Sequence, residues 1–191
     1  MLFNAGRFHA VELGAGDVAL LQRFYELNPE YHLIVSGKRP GPNEARDDFD
    51  SKVPEGWPYT KRWIAGLFDE RDTLAGVFDV ISDLFAPGIW HVGLFMVATP
   101  LYGRGTAQEM YAALESWMRA NGARWTRLGV VEGNARAERF WERSGYVDVR
   151  RREGYQIGKQ VNTLRVMAKP LAGGSFEEYL ALVARDRPDA P

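Results

Sequence analysis

A strand that runs into a glycine-bearing loop and then directly into an amphipathic helix leaves a chain few folds to choose from, and residues 94–120 have this order. Leu94-Phe95-Met96-Val97 is an apolar run of the length of a buried strand. The loop Tyr102-Gly103-Arg104-Gly105-Thr106-Ala107 follows, and its two glycines let the backbone approach a ligand closely. From Ala107 onward, Met110, Tyr111, Leu114, Trp117 and Met118 recur three or four residues apart, which gathers them on one helical face. Asn121-Gly122 supplies the stop. The first turn of such a helix turns unpaired N–H groups and the positive end of its dipole toward the loop, so the pattern predicts a bound anion there. A further strand is expected at residues 125–131. Asn134 then caps a helix that points Ala137, Phe140 and Trp141 inward before Gly145 ends it.

Two separated motifs in this stretch resemble those of the GCN5-related N-acetyltransferases (GNAT). The Arg/Gln-x-x-Gly-x-Gly/Ala loop is filled by Tyr102, Gly105 and Ala107, with Gly103 and Arg104 between. The Asn-x-x-Ala-x-x-Phe-Tyr-x-x-x-Gly-Phe pattern is filled by Asn134, Ala137, Phe140, Trp141, Gly145 and Tyr146. The resemblance is specific over residues 89–149 and weaker over 8–83, where only the order of elements compares. It implies an α/β GNAT fold: a mixed, mostly antiparallel sheet of six or seven strands that splays between its fourth and fifth strands, with four or five helices. It implies acetyl-CoA as co-substrate, with Met96, Val97, Ala98, Tyr102, Gly103, Arg104, Gly105, Thr106, Ala107, Asn134, Phe140 and Trp141 around it. An N–H near Met96 or Val97 would polarise the thioester carbonyl, and Asn134 would hydrogen-bond the pantetheine arm from the other wall.

Three departures stand out. Tyr102 replaces the usual Arg or Gln, which removes one side chain from the phosphates. Trp141 occupies the slot of a tyrosine that protonates the departing thiolate in many members, and indole carries no acidic hydroxyl. Pro100 is displaced by one residue from its usual place.

The remaining chain reads as one domain with its core at about residues 8–170 and a C-terminal extension at 171–191. Residues 8–13 alternate as a first strand, Asp17 caps a helix, and Asn28-Pro29 ends it. A Gly- and Pro-rich loop at 36–42 opens onto a short acidic helix at 43–49. Strands follow at 62–69 and 74–84, and later at 147–151 and 162–168 with a loop at 154–158 between them; a last short helix is expected at 176–184. A 191-residue chain that is 46% hydrophobic can build such a core. A net charge of −1 gives nucleic acid no basic face to meet. The absence of cysteine excludes disulfides, thiolate metal sites and a cysteine nucleophile, and no metal is expected. No apolar run reaches bilayer length and the first residues lack a signal-peptide core, so a cytoplasmic protein without a membrane partner is expected. A homodimer stays open.

Acetyl transfer to an amine needs a fixed donor at the thioester oxygen, where one well-placed N–H is worth about 3 kcal/mol. It also needs a group that takes the amine's proton. Asp79, His91 and Glu132, with Asp83 beside them, are the candidates, and sequence does not rank them. Each has a plainer reading: a solvent-facing carboxylate, a structural histidine, a strand end. Arg104 reads equally as a solvated charge, Asn134 as a helix cap, and Phe140 and Trp141 as core packing. The acidic run Glu44, Asp47, Asp48 and Asp50 reads as a solvated helix face; lining the acceptor cleft, it would favour a cationic amine. The leading expectation is an acyl-CoA N-acyltransferase, acetylating a small-molecule or peptide amine by direct attack in a ternary complex. The alternatives are a longer acyl donor, a catalytically weak CoA-binding regulatory module, or an unrelated nucleotide binder with the same loop.

Overall fold

The computed structural model describes residues 1–190. Its strands are β1 (Phe3–Ala5), β2 (Phe8–Glu12), β3 (Lys61–Phe68), β4 (Leu74–Ser82), β5 (Ile89–Val97), β6 (Trp125–Val131), β7 (Val147–Ile157) and β8 (Gln160–Pro170). They form one sheet in the order β1-β2-β3-β4-β5-β6-β8-β7. Every neighbouring pair is antiparallel except β5 and β6. A parallel pair needs a crossover, and α4 (Thr106–Ala120) supplies it. The other helices are α1 (Val18–Leu27), α2 (Glu30–Ser36), α3 (Glu44–Asp50), α5 (Ala135–Arg143) and α6 (Phe176–Leu182), none of them long and apolar enough to cross a membrane.

The α4 face predicted from spacing is the one that packs: Met110, Tyr111, Leu114 and Met118 are buried, with Trp117 and Ala107 partly so. Trp117 meets Trp90 edge-on at 5.6 Å, and Trp90 stacks on Trp63 at 5.3 Å, which ties α4 to the sheet. Trp141 of α5 is buried edge-on to the Tyr111 ring at 5.1 Å.

The sheet has eight strands and the described residues six α-helices, more than the sequence reading placed. Strand β1 is missed because three residues carry no periodicity; it pairs with β2 through a turn at Gly6, whose φ is +57°. Helix α2 is missed because Asn28-Pro29 reads only as a stop. Proline also suits the start of a helix, and Pro29 stands at the N-cap of α2. The loop expected at 154–158 is instead strand: β7 passes Gly154, at φ +71°, through a register shift between Arg152 and Tyr155. The β7–β8 hairpin therefore reaches α2, where Asn162 Nδ2 donates to the Val35 carbonyl at 3.0 Å.

Residues after β8 are packed into the sheet. Ser175 and Glu178 form a capping box on α6, Tyr179 and Val183 are buried against Ile89 and Trp125, and Asp186 is buried as well. The Asp186 carboxylate accepts two bonds from Arg127, at 2.9 and 3.0 Å, and one from the Tyr179 hydroxyl at 2.6 Å. Burial pushes its pKa upward, but the Arg127 charge and these bonds outweigh burial and hold it below the ordinary carboxylate value. A carboxyl depressed in the folded state stabilises fully above its unfolded pKa, and that contribution is lost as pH falls through the folded value. Asp186→Asn leaves a buried guanidinium without its counter-charge and should cost about 3 kcal/mol in denaturant unfolding near neutrality. The variant should also flatten the acid limb of stability against pH; an unchanged limb would contradict the assignment.

Candidate active site

The cleft begins where β5 and β6 part. Their pairing runs from Ile89↔Trp125 to Val92↔Leu128 and stops there, although β5 continues to Val97 and β6 to Val131. The break coincides with a bulge. Asp79 of β4 faces Leu94 and Val80 faces Val92, so Gly93 is the extra residue on β5. Gly93 and Gly129, the first residues beyond the last paired rung, are exposed in otherwise mostly buried strands, and both line the opening. Ala98 N–H donates to the Ala75 carbonyl on β4 at 2.8 Å. Backbone alternation then turns the Val97 and Phe95 N–H groups away from β4, toward the gap.

One cavity of about 680 Å³ lies between the end of β5, the loop before α4, and α5. Met96, Val97, Tyr102, Gly103, Gly105, Ala107, Asn134, Phe140 and Trp141 line it. Gly103 and Gly105 have φ of +74° and +78°, and a Cβ at either would meet no protein atom within 4 Å. Among the described residues, the amides of Gly103 through Gln108 have no acceptor in the protein; the first bond of the helix entry is Glu109 N–H to the Gly105 carbonyl at 3.1 Å. Free donors of this kind at a helix start are suited to hold an anion. Arg136, Arg139 and Arg143 of α5 line the same cavity, and the Arg136 guanidinium lies 4.4 Å from the centre of the Tyr102 ring.

A second cavity of about 310 Å³ lies along the exposed faces of Gly93 and Gly129, toward β7, β8 and residue 185. Both cavities are lined by Tyr31, Phe95, Asn134, Ala137 and Trp141, so they meet at the gap. Helix α2 spans this junction. Glu30 accepts from the Thr99 hydroxyl at 2.7 Å on one side, and Val35 is held by β8 on the other. Burial, then the Asp48 charge, raises the Tyr31 pKa, so its phenol keeps its proton.

The chain matches the model of the acetyltransferase (GNAT) family over residues 21–146. It belongs to the GNAT family. Three solved structures show how far the GNAT fold extends through it. An acetyltransferase from Thermus thermophilus aligns with a TM-score of 0.67 at 19% identity, covering 89% of this chain and 99% of that one. A spermidine N-acetyltransferase from Vibrio cholerae, in complex with CoA and spermine, aligns at 0.66 and 14% identity over 87% of this chain and 97% of its own. The ribosomal-protein-S18-alanine N-acetyltransferase from Escherichia coli aligns at 0.62 and 13% over 88% and 96%. A search of curated protein sequences returned no match.

Of the residues that the GNAT motifs single out, Ala98, Arg104 and Thr106 flank the larger cavity without lining it. Asn134 both caps α5, accepting from Ala137 N–H at 3.3 Å, and lines both cavities. The proton-acceptor candidates separate. Asp79 is gripped by Arg62, with Nη2 to Oδ2 at 2.6 Å. Asp83 accepts from Gly88 N–H at 2.7 Å in a turn. Glu132 is exposed, pairs with Arg151 at 3.2 Å and lines neither cavity. His91 lines the smaller cavity, its Nδ1 3.2 Å from both the carbonyl and Nη1 of Arg127. None of Glu44, Asp47, Asp48 and Asp50 lines the smaller cavity; Asp48 accepts from the Tyr25 hydroxyl at 2.7 Å. Sequence reasoning missed Gly93 and Gly129, whose signal is glycine inside a strand. It also missed Arg136 and Tyr31, which carried none.

Burial, and then the Arg127 charge, lowers the His91 pKa to about 3, so the ring is neutral at physiological pH. Its ring-carbon NMR shifts should stay at neutral-form values from about pH 8 to about pH 5. A midpoint near the ordinary value of 6.5 would contradict the buried, Arg127-facing placement.

Proposed function

We propose that this GNAT protein is an N-acetyltransferase that uses acetyl-CoA and acetylates an amine by direct attack in a ternary complex. The observation that carries the reading is the convergence of unbonded amides at residues 103–108 with the parted strands β5 and β6. A diphosphate-bearing thioester carrier fits this larger cavity: free N–H groups meet its phosphates at the helix start, and the outward N–H groups of β5 meet its amide-bearing arm. Tyr102 brings no charge where relatives of this family place Arg or Gln. Arg136, stacked over that ring, returns a guanidinium to the same place.

Acetyl-CoA supplies the activated acyl carbon when bound. Val97 N–H, turned into the gap, donates to the thioester oxygen as negative charge builds there. The amine enters from the smaller cavity as the free base; its nitrogen bonds to the carbonyl carbon, the carbon–sulfur bond breaks, and the electron pair leaves on sulfur. The nitrogen's proton passes to solvent water in the smaller cavity; His91, the one of the four proton-acceptor candidates on that wall, stays neutral and serves there as a hydrogen-bonding group, not as the final acceptor. Trp141 has no acidic hydroxyl to give, whereas the Tyr31 phenol lines both cavities and can donate a hydrogen bond to the departing thiolate.

Calorimetric titration with CoA should give one site per chain. Arg136→Ala should weaken it about tenfold, as expected for one charge-assisted bond. Replacing Gly103 and Gly105 together by valine should abolish binding while leaving the circular dichroism of the fold intact. Folded, unsubstituted protein that binds no CoA would overturn the reading, as would equal binding by the double variant. Tyr31→Phe should lower kcat about tenfold or more with little change in the Kd of CoA; an unchanged kcat would remove Tyr31 from the thiolate.

A further inference from the structure

The smaller cavity carries a charge that acetyl transfer by itself does not require. Among the described residues, three arginines line it, Arg127, Arg152 and Arg185, and no carboxylate does. Asp186 stands behind them and is committed to Arg127 at 2.9 Å, with Arg152 at 3.4 Å. Arg185 has no carboxylate partner among the described residues. Its guanidinium lies over two rings that meet edge-on, 3.9 Å from the Trp57 centroid and 4.8 Å from that of Phe85. The Nε atoms of Arg152 and Arg185 are buried without an acceptor. Unanswered guanidinium donors in a cavity imply a ligand that answers them.

We propose, resting on the acetyltransferase reading, that the acceptor is a small amine bearing a carboxylate, held by Arg152 and Arg185 with its amine directed toward the gap between β5 and β6. Contact with both rings holds the Arg185 guanidinium in place, so less side-chain freedom remains to be lost when a carboxylate docks on it. Burial lowers the pKa of both Arg152 and Arg185; the charges of neighbouring arginines push the same way, and Asp186 opposes them without reversing the shift, so a bound anion adds to what Asp186 supplies. The same field opposes an ammonium ion, which raises the share of free amine at the gap and rejects polycations. The volume, about 310 Å³, is at the small end of ligand cavities.

The test uses the unmodified protein with acetyl-CoA and matched acceptors: α-amino acids, their carboxamides, and spermidine, followed by thiol release. An acid-bearing acceptor should exceed its carboxamide about tenfold or more in kcat/KM, mainly through KM, and spermidine should be the poorest. Arg152→Gln and Arg185→Gln should each erase the preference while the Kd of CoA stays constant. Carboxamides or spermidine turned over as well as the acids would overturn the proposal and leave the acetyltransferase reading standing. So would CoA-binding protein that acetylates no acid-bearing amine, or a preference that survives both substitutions. Protein that fails to bind CoA would overturn the acetyltransferase reading, and the acceptor assignment with it.

Discussion

The arrangement depends on two strands that stop pairing. Parallel strands normally share a continuous ladder, yet β5 and β6 share only the rungs up to Val92 and Leu128. The extra residue Gly93 bends β5 at that point, and neither Gly93 nor Gly129 has a side chain to fill the space that opens. Backbone N–H groups that a closed sheet would have consumed are left facing a cavity. The cost of leaving them unpaired is tolerable because water or a ligand can reach them. On the acetyltransferase reading proposed above, a substrate with an amide-bearing arm takes the place of the missing strand partner.

The gap also divides the molecule's charges. On the α4 side the donors are mostly backbone, a helix start with free amides beside the α5 arginines. On the β7 and β8 side the donors are side-chain guanidinium groups, and the carboxylate close behind, Asp186, is already occupied by Arg127 and Tyr179. Asp186 therefore does structural work at the edge of the site. It holds Arg127 in the core, and Arg127 in turn suppresses protonation of His91. The tight Arg62–Asp79 pair acts on the other flank: Arg62 also donates to the Ser51 carbonyl at 2.6 Å and ties the segment after α3 to β4.

Much of this was legible from the chain. The α4 face and the inward residues of α5 follow from local spacing, and the loop glycines follow from the positive φ that their turn requires. The identity of the paired motifs carried the family. What stayed hidden depends on contacts across long sequence separations. Arg136 reaches Tyr102, Tyr31 reaches Trp141's cavity, and Arg185 lies on Trp57, and none of these pairs shares a local pattern. The proton-acceptor candidates illustrate the same limit. Asp79 and Glu132 look equivalent in sequence, but partners far along the chain, Arg62 and Arg151, decide what each can do. The acidic run before β3 reads from its spacing as a solvated helix face, whereas the arginines that line the smaller cavity come from β6, β7 and the segment after α6, which no local pattern brings together.

The most direct measurement is amide hydrogen exchange, read by mass spectrometry, with and without CoA. If the parted strand and the helix start together grip the carrier, exchange should slow in peptides covering the end of β5 through the first turn of α4, and around Asn134, while the β1–β2 hairpin stays unchanged. Slowing confined to other parts of the chain, with the end of β5 and the start of α4 exchanging as fast as before, would contradict the account.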